Sequence, residues 1–421
     1  MSLKKYKYII CLIVIALLLI GCIQYTPPLP VTTPRTTITI LHGYSTTDLG
    51  IEDMITQKIS SEFPDVRLEW DNVSWGDYFS SEMQARIASG DVPDIIIGKA
   101  QDVSSFQASG FLSSFDDSFT GYIEQKGLDS VTINGSVYGI PYDMLYQGVI
   151  YNRRIFEEHG LTVPRTTQEL KYVVDYLNDV GITPFAAHFV ENWYAGNIKM
   201  QFALNRVFSE NPVWGDEFRA GTRNYSNFEE MIRCFEDVKY VFDNSWADSL
   251  LVTQRECLRR FSNGEAAMFV TGTWSVQPLH LIYPEMEVGI FPFPDDYGAA
   301  RLIFEPNTTF MSNARSEKKE LANRIILAII SDKELAASVS TFTQTQSLVG
   351  NVESDSLSMV REDLNYFMNN DRLIDVSVGN TQLAWIFQDM VARQTNLWLD
   401  GRLELSYVLA FADTNRSFSK W

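Results

Sequence analysis

Between Thr37 and Ile97 the hydrophobic period switches back and forth between two and about 3.6, and no other feature limits the fold so tightly. Thr37-Ile38-Thr39-Ile40-Leu41 reads as a strand, after which Ile51, Ile55, Ile59 and Phe63 recur at helical spacing until Pro64 ends the helix. Val66, Leu68 and Trp70 then alternate with Arg67 and Glu69, the pattern of a half-buried strand. A second helical stretch carries Phe79, Met83 and Ile87 as far as Ser89-Gly90, and the apolar run Pro93 to Ile97 closes the series. A β-α-β-α-β order predicts a parallel sheet covered by helices, the α/β class. The chain has 421 residues, 45% of them hydrophobic, so it can bury a large core. At about 150 residues per domain it divides into two or three domains.

Further along, Val131-Thr132-Ile133 and Val137-Tyr138-Gly139-Ile140 flank Asn134-Gly135, the dipeptide that best tolerates the positive φ of a tight hairpin. Thr166 with Glu169 forms a capping box, and Leu170, Val173, Val174 and Leu177 supply the buried stripe of the helix it opens. Another helix runs through Leu321, Ala322, Ile325, Ile326, Ile329 and Ile330. No internal repeat is visible.

At the amino terminus Lys4, Lys5 and Lys7 precede an apolar run that ends in Leu19-Ile20-Gly21-Cys22. The uninterrupted stretch Ile9 to Ile20 has 12 residues, against about 20 for a spanning helix, so a signal peptide over residues 1–21 is the reading. Leu19 to Cys22 resembles the bacterial lipobox, which implies cleavage before Cys22 and a lipid on its sulfur. The alternatives are an ordinary secretory signal or an uncleaved anchor. Residues 22–35 include Pro27, Pro28, Pro30 and Pro34 and read as an extended tether. The expected location is the extracytoplasmic face of the cell membrane, lipid-anchored. Cys11 leaves with the signal, so the mature body keeps Cys234 and Cys257, which either pair or stay as buried thiols.

Charge and motifs exclude several classes. There are 34 basic and 53 acidic residues, a formal −19; without the three signal-peptide lysines the balance is 31 against 53, or −22. Binding nucleic acid needs a basic surface, so no nucleic-acid partner is expected. Four cysteines and four histidines show no CxxC or HExxH spacing, and no metal or other cofactor is expected. There is no GxSxG elbow, no phosphate-binding loop of the Walker type and no GxGxxG after the first strand. Glycoside hydrolysis needs two carboxylates about 5 to 10 Å apart, which 53 acidic residues supply by chance, so their count says nothing. Hydrolase, NTPase and dinucleotide-binding readings therefore lack their parts, and no enzyme is expected.

Four segments together resemble the family 1 extracellular solute-binding proteins of ABC importers. They are Ser89 to Ile95 (SGDVPDI), Asn134 to Tyr142 (NGSVYGIPY), Tyr151 to Leu170 (YNRRIFEEHGLTVPRTTQEL) and Phe261 to Trp274 (FSNGEAAMFVTGTW). The resemblance covers Thr36 to Trp421, although Gln346 to Asn351 lacks the usual Gly-x-x-Pro-Ala. It implies a two-lobe, type II periplasmic-binding-protein-like fold with a hinge and an interlobe ligand cleft. Lobe 1 would hold 36–143 and a return over 269–311, and lobe 2 would hold 144–268 and 312–421. Crossings would fall near Met144–Gly148, Phe269–Gly272 and Thr309–Ser312. The implied role is capture of a carbohydrate, an oligosaccharide by preference, by a monomer that delivers it to the transmembrane permease subunits of an ABC transporter. A receptor for a non-sugar solute, or a sensory or adhesion lipoprotein, is the alternative; a glycoside-active enzyme is the remote one.

Ligands of open α/β sheets sit beyond the carboxyl ends of the strands. That selects His42, Gly43, Tyr44 and Ser45 after the first strand and Gly98, Lys99, Ala100 and Gln101 after the third. A neutral sugar needs rings against its C–H faces and paired donors and acceptors for its hydroxyls. The family resemblance points to Trp274, just past a hinge strand, and to Trp193, in a loop before a helix, as stacking rings; burial in the core is the other reading of Trp274. Tyr142 and Asp143 lie beside the first crossing, where Asp143 either accepts hydroxyls or only turns the chain. Asn307 and His188 complete the candidates, with turn formation and internal hydrogen bonding as their plainer roles. Asp143 set against Lys99 favours a neutral or weakly acidic ligand over a polyamine.

Overall fold

The computed structural model describes residues 35–43, 50–73, 79–378 and 385–419. The alternating pattern folds as read. Strand β1 (Thr36–His42) is followed by α1 (Gly50–Glu62), β2 (Val66–Asn72), α2 (Phe79–Ser89), β3 (Ile95–Gly98) and α3 (Ala100–Ala108). Strand β1 pairs in parallel with both β2 and β3. Period two then sorts the side chains. Ile38, Ile40, Ile95 and Ile97 share one core with Ile51, Ile55 and Ile59 of α1, while Leu41 and Ile96 point the other way, into a core with Phe79, Met83 and Phe106. Each of these fully buried aliphatic side chains contributes about 1.5 to 3 kcal/mol of transfer free energy.

The hairpin also forms: β4 (Thr132–Ile133) pairs with β5 (Ser136–Val137), and Asn134 and Gly135 take φ of 51° and 79° in the turn. Strand β6 (Ile140–Pro141) rejoins the first sheet, and β7 (Asp143–Asn152) enters a second one. Helix α4 (Thr167–Asp179) starts at Thr166, whose hydroxyl accepts from Glu169 N at 3.2 Å, and it buries Leu170, Val173, Val174 and Leu177. After β8 (Thr183–Ala186), α5 (Asn192–Ala203) and α6 (Glu229–Asp243) comes β9 (Ala266–Gly272), then α7 (Val276–Ile282), β10 (Val288–Phe291) and β11 (Leu302–Pro306). The chain continues through β12 (Thr309–Ser312), α8 (Lys319–Ile330), α9 (Lys333–Thr343), β13 (Gln346–Ser347), β14 (Leu373–Asp375) and α10 (Trp385–Leu399). The first sheet has the order β2-β1-β3-β12-β6; the second runs β14-β11-β7-β9-β8, with β10 and β13 also on β7.

This pairing moves the expected boundaries. Between β6 and β7 the chain changes sheet at Tyr142–Asp143, and between β11 and β12 it changes at Asn307–Thr308. The stretch 269–311, expected to return to lobe 1, instead sends β10 and β11 into the second sheet. The stretch 312–421, expected in lobe 2, begins with α8 and α9, which pack on α1 beside the first sheet. The ion pair Lys58–Asp332 at 2.5 Å fastens that contact. Hydrophobic period identifies a strand and its buried face but not the sheet it joins, so these addresses were not in the pattern. Cys234 and Cys257 are both buried free thiols. Among the described residues no helix is long and apolar enough to cross a membrane.

Candidate functional site

Strand β7 is buried along all ten of its residues, so every polar side chain on it must find an internal partner. Alternate residues share a face, which puts Asp143, Leu145 and Gln147 on one side. Leu145 lies opposite Glu305 of β11, and Gln147 lies opposite Gly272 of β9. Glu305 and position 272 therefore lie on the same side as Gln147, next to the chain crossings.

Donors converge there from both sheets. Lys99 follows β3 and gives its Nζ to Glu305 Oε1 at 2.7 Å; Gln101 Nε2 reaches the same oxygen at 3.3 Å, and Gln147 Nε2 donates to Oε2. A carboxylate 2% exposed is costly to bury unless it is paired and hydrogen-bonded, and Glu305 is both. Asn197 Nδ2 donates to Gln147 Oε1 at 3.3 Å, and Gln201 Nε2 to Asn197 Oδ1 at 2.9 Å and to the Thr271 carbonyl at 3.2 Å. Trp193, Asn197 and Gln201 recur every four residues and so share one face of α5. Beside Lys99, Asp102 caps α3 by accepting the Lys99 N–H at 3.0 Å; burial pushes its carboxyl up to about 6 although Lys99 opposes the shift.

The aromatic wall stands next to this row. Trp274 is half-buried on the short turn Thr273–Ser275 that leads from β9 to α7. It meets Trp193 edge to face, with ring centroids 6.4 Å apart. Behind Trp193 lies His188, 0% exposed, its ring 5.2 Å away and its Nδ1 2.9 Å from Glu191 Oε2. Burial lowers the His188 pKa and Glu191 only partly opposes this, so His188 backs the wall as a neutral ring. Two rings beside a row of amides and a paired carboxylate suit a ligand with apolar faces and a hydroxyl-rich rim.

The remaining expected residues are placed differently. Asp143 is 1% exposed and its acceptors are taken: Oδ1 receives Thr308 N at 2.8 Å and Asn307 Nδ2 at 3.4 Å, and Oδ2 receives Thr345 Oγ1 at 2.9 Å. Asn307 N also donates to the Asp143 carbonyl at 2.9 Å, so the two residues tie two crossings and the stretch before β13 together. Tyr142 is buried edge-on against Phe310, ring centroids 5.6 Å apart. His42 is buried with its Nε2 2.8 Å from Glu52, and burial lowers its pKa to about 4. Tyr44, Ser45 and Cys22 lie outside the described residues. Sequence reading missed Glu305, Gln147, Asn197 and Gln201. The signal was there: Gln147 inside the apolar stretch Met144–Tyr151 of β7, Glu305 in the apolar run of β11, and a four-residue polar repeat, Asn197 and Gln201, on a helix otherwise buried.

Residues 45–333 match the family described as bacterial extracellular solute-binding protein. The multiple sugar-binding protein of Streptococcus mutans is 24% identical over 225 residues, 50% of this chain and 52% of that protein, so the match spans about half of the relative's length. The melibiose/raffinose/stachyose-binding protein MelE of Bacillus subtilis is 22% identical over 314 residues, 69% of this chain and 68% of that one. Among solved structures, a chitin oligosaccharide binding protein superposes with a TM-score of 0.77 at 16% identity, covering 92% of this chain and 99% of its own. A sugar transporter from Bacillus licheniformis in complex with stachyose gives 0.76 at 14% identity, covering 90% and 99%. At such identities the likeness shows the fold, a two-lobe α/β arrangement of type II.

Proposed function

The chain belongs to the bacterial extracellular solute-binding protein family, and on that premise we propose that it captures a neutral oligosaccharide between its lobes and presents it to an ABC permease. The observation that carries this reading is the Trp193–Trp274 pair standing beside the Lys99–Glu305–Gln147–Asn197 row. The rings offer faces to sugar C–H groups, and the row offers both donors and acceptors to hydroxyls. Relatives named for raffinose, stachyose and chitin oligosaccharides support the ligand class. Closure of the lobes on the sugar would create the shape the permease recognises. Export by residues 1–21 and lipidation of Cys22 would keep the receptor at the outer face of the membrane. Binding fits the two buried carboxylates: the oxygens of Glu305 and Asp143 are already engaged by donors from the chain itself.

Tryptophan fluorescence against a panel of raffinose, stachyose, chitin oligosaccharides, polyamines and short peptides tests the proposal. A saturable change with one saccharide class and no product is the expected result. Trp274→Ala should weaken that binding by about ten- to a hundredfold, the equivalent of about 1 to 3 kcal/mol of buried aromatic contact. A response confined to polyamines or peptides, or release of a hydrolysis product, would overturn the assignment; undiminished affinity in the variant would remove the stacking role.

A further inference from the structure

We propose that Gly272 is the positioning residue of the site: its missing side chain is the space in which the Trp274 ring sits. The inference rests on the saccharide-binding reading for its consequence in affinity and on geometry alone for its structural part. A Cβ built on Gly272 would lie 2.1 Å from Trp274 Cζ3, 2.4 Å from Cε3 and 2.6 Å from Cη2. All three atoms belong to the six-membered half of the indole, which is rigid, so the ring as a whole would have to move by more than 1 Å. The cause is local. Strand β9 ends at Gly272, Thr273–Ser275 forms a single tight turn, and the Trp274 side chain folds back over the strand end it has just left.

Little else fixes the ring. Among the described residues no hydrogen-bond partner meets the buried Trp274 Nε1, so no donor–acceptor pair there sets its rotation. Among the described residues its aromatic neighbour is Trp193, edge to face at 6.4 Å. The ring is thus held by shape, against the Gly272 backbone and the Trp193 ring. Because Gly272 lies opposite Gln147 in the ladder, the same face carries the Gln147–Glu305 hydrogen bond. Where Trp274 rests therefore sets the distance between the stacking surface and the hydroxyl-binding row. Dispersion contacts fall off within 1 Å, so a displaced ring loses its match to a ligand held by that row.

The backbone does not itself demand glycine. Gly272 has φ −135° and ψ 176°, extended values open to any residue, so alanine at 272 acts through the ring and not through strain. This separates a positioning role from a conformational one.

The test is Gly272→Ala in the full chain, alone and combined with Trp274→Ala. Against whichever saccharide the parent binds, Gly272→Ala should weaken affinity about tenfold, and in the Trp274→Ala background it should cost nothing further. Fluorine NMR on protein labelled with fluorotryptophan, with nine tryptophans in the sequence and one line for each, reads the ring directly. The Trp274 and Trp193 lines should shift in Gly272→Ala while the lines of distant tryptophans stay put, with or without ligand. An unmoved Trp274 line, or a loss of affinity that persists in full in the Trp274→Ala background, overturns the positioning role. If no saccharide binds the parent protein, the proposed function fails by itself, and the fluorine spectrum still decides the role of Gly272.

Discussion

Replacing Asp94 with alanine is expected to cost about 3 to 5 kcal/mol of folding stability at neutral pH, the range for breaking a buried, hydrogen-bonded charge network. Asp94 is 5% exposed and closes the ladder of the first sheet with its side chain. Strands β1 and β3 pair from Ile40 opposite Ile95 onward; one residue earlier the Asp94 carboxylate takes the place of a backbone acceptor, receiving Thr39 N at 2.9 Å and Thr39 Oγ1 at 3.0 Å. Ser316 Oγ donates to its other oxygen at 2.5 Å, and Lys318 Nζ lies 2.6 Å from Oδ2. Three segments far apart in sequence are joined by one side chain. Burial alone would push its pKa up, but the donors from Lys318, Ser316 and Thr39 outweigh burial and hold it below the ordinary 3.8. A depressed carboxylate stabilises the fold above the unfolded-state pKa and loses that contribution as pH falls through the folded value, so the cost of Asp94→Ala should be full at pH 7 and shrink below about pH 4. Urea titrations at pH 7 and pH 3.5 would show it. A pH 7 loss under 1 kcal/mol would mean the remaining groups re-pair with water at little cost. The functional consequence is positional, because β3 runs directly from Asp94 to Lys99, and its register delivers that ammonium to Glu305.

The same residue illustrates what a sequence can and cannot disclose. SGDVPDI carried part of the family resemblance, and Asp94 within it is a clamp, yet its partners Thr39, Ser316 and Lys318 were invisible because contacts across more than fifty residues leave no periodic trace. Local features came through. The β-α-β-α-β alternation, the Asn134-Gly135 hairpin and the Thr166-capped helix each depend on neighbours within a few residues, and each was legible. Trp193 and Trp274 were reached through family resemblance and prove to be in contact. Asp143 was selected by its place beside a crossing; the chain changes sheet at Tyr142–Asp143, and the Asp143 carboxylate is spent on Thr308, Asn307 and Thr345. Whether a buried polar residue faces a ligand or its own chain depends on where the crossings converge. That convergence is a property of the whole topology, and it also brought Glu305 beside Gln147.

Lys199→Met should make the protein more stable at pH 7, by about 2 to 4 kcal/mol, and less stable above about pH 10.5. Lys199 is 1% exposed on α5, its Nζ donating to Gln388 and lying 5.5 Å from the Tyr225 ring and 5.8 Å from the Phe235 ring. Its hydrogen-bond partner among the described residues is the Gln388 amide and not a carboxylate, and burial pushes its pKa from 10.5 down to about 7. At about 1.36 kcal/mol for each tenfold change in proton affinity, that displacement is on the order of 5 kcal/mol of charge-burial cost. Methionine fills a similar volume without the charge but leaves the Gln388 carbonyl unpaired, which costs about 1 to 3 kcal/mol. The difference sets the sign at neutral pH. Between pH 7 and 10.5 the unfolded lysine is protonated and the folded one is not, so wild-type stability rises with pH through that window while the variant lacks this term. Its advantage is therefore full below pH 7, fades across the window and reverses once both states are neutral. Trp193, Asn197 and Gln201 occupy another face of the same helix, so saccharide affinity should stay within twofold of wild type at pH 7. Denaturant titrations at pH 6, 8.5 and 10.5 give the curve. A stability difference independent of pH would mean that the lysine is buried with its charge fully compensated, and that the aromatic rings and Gln388 solvate an ammonium nearly as well as water does.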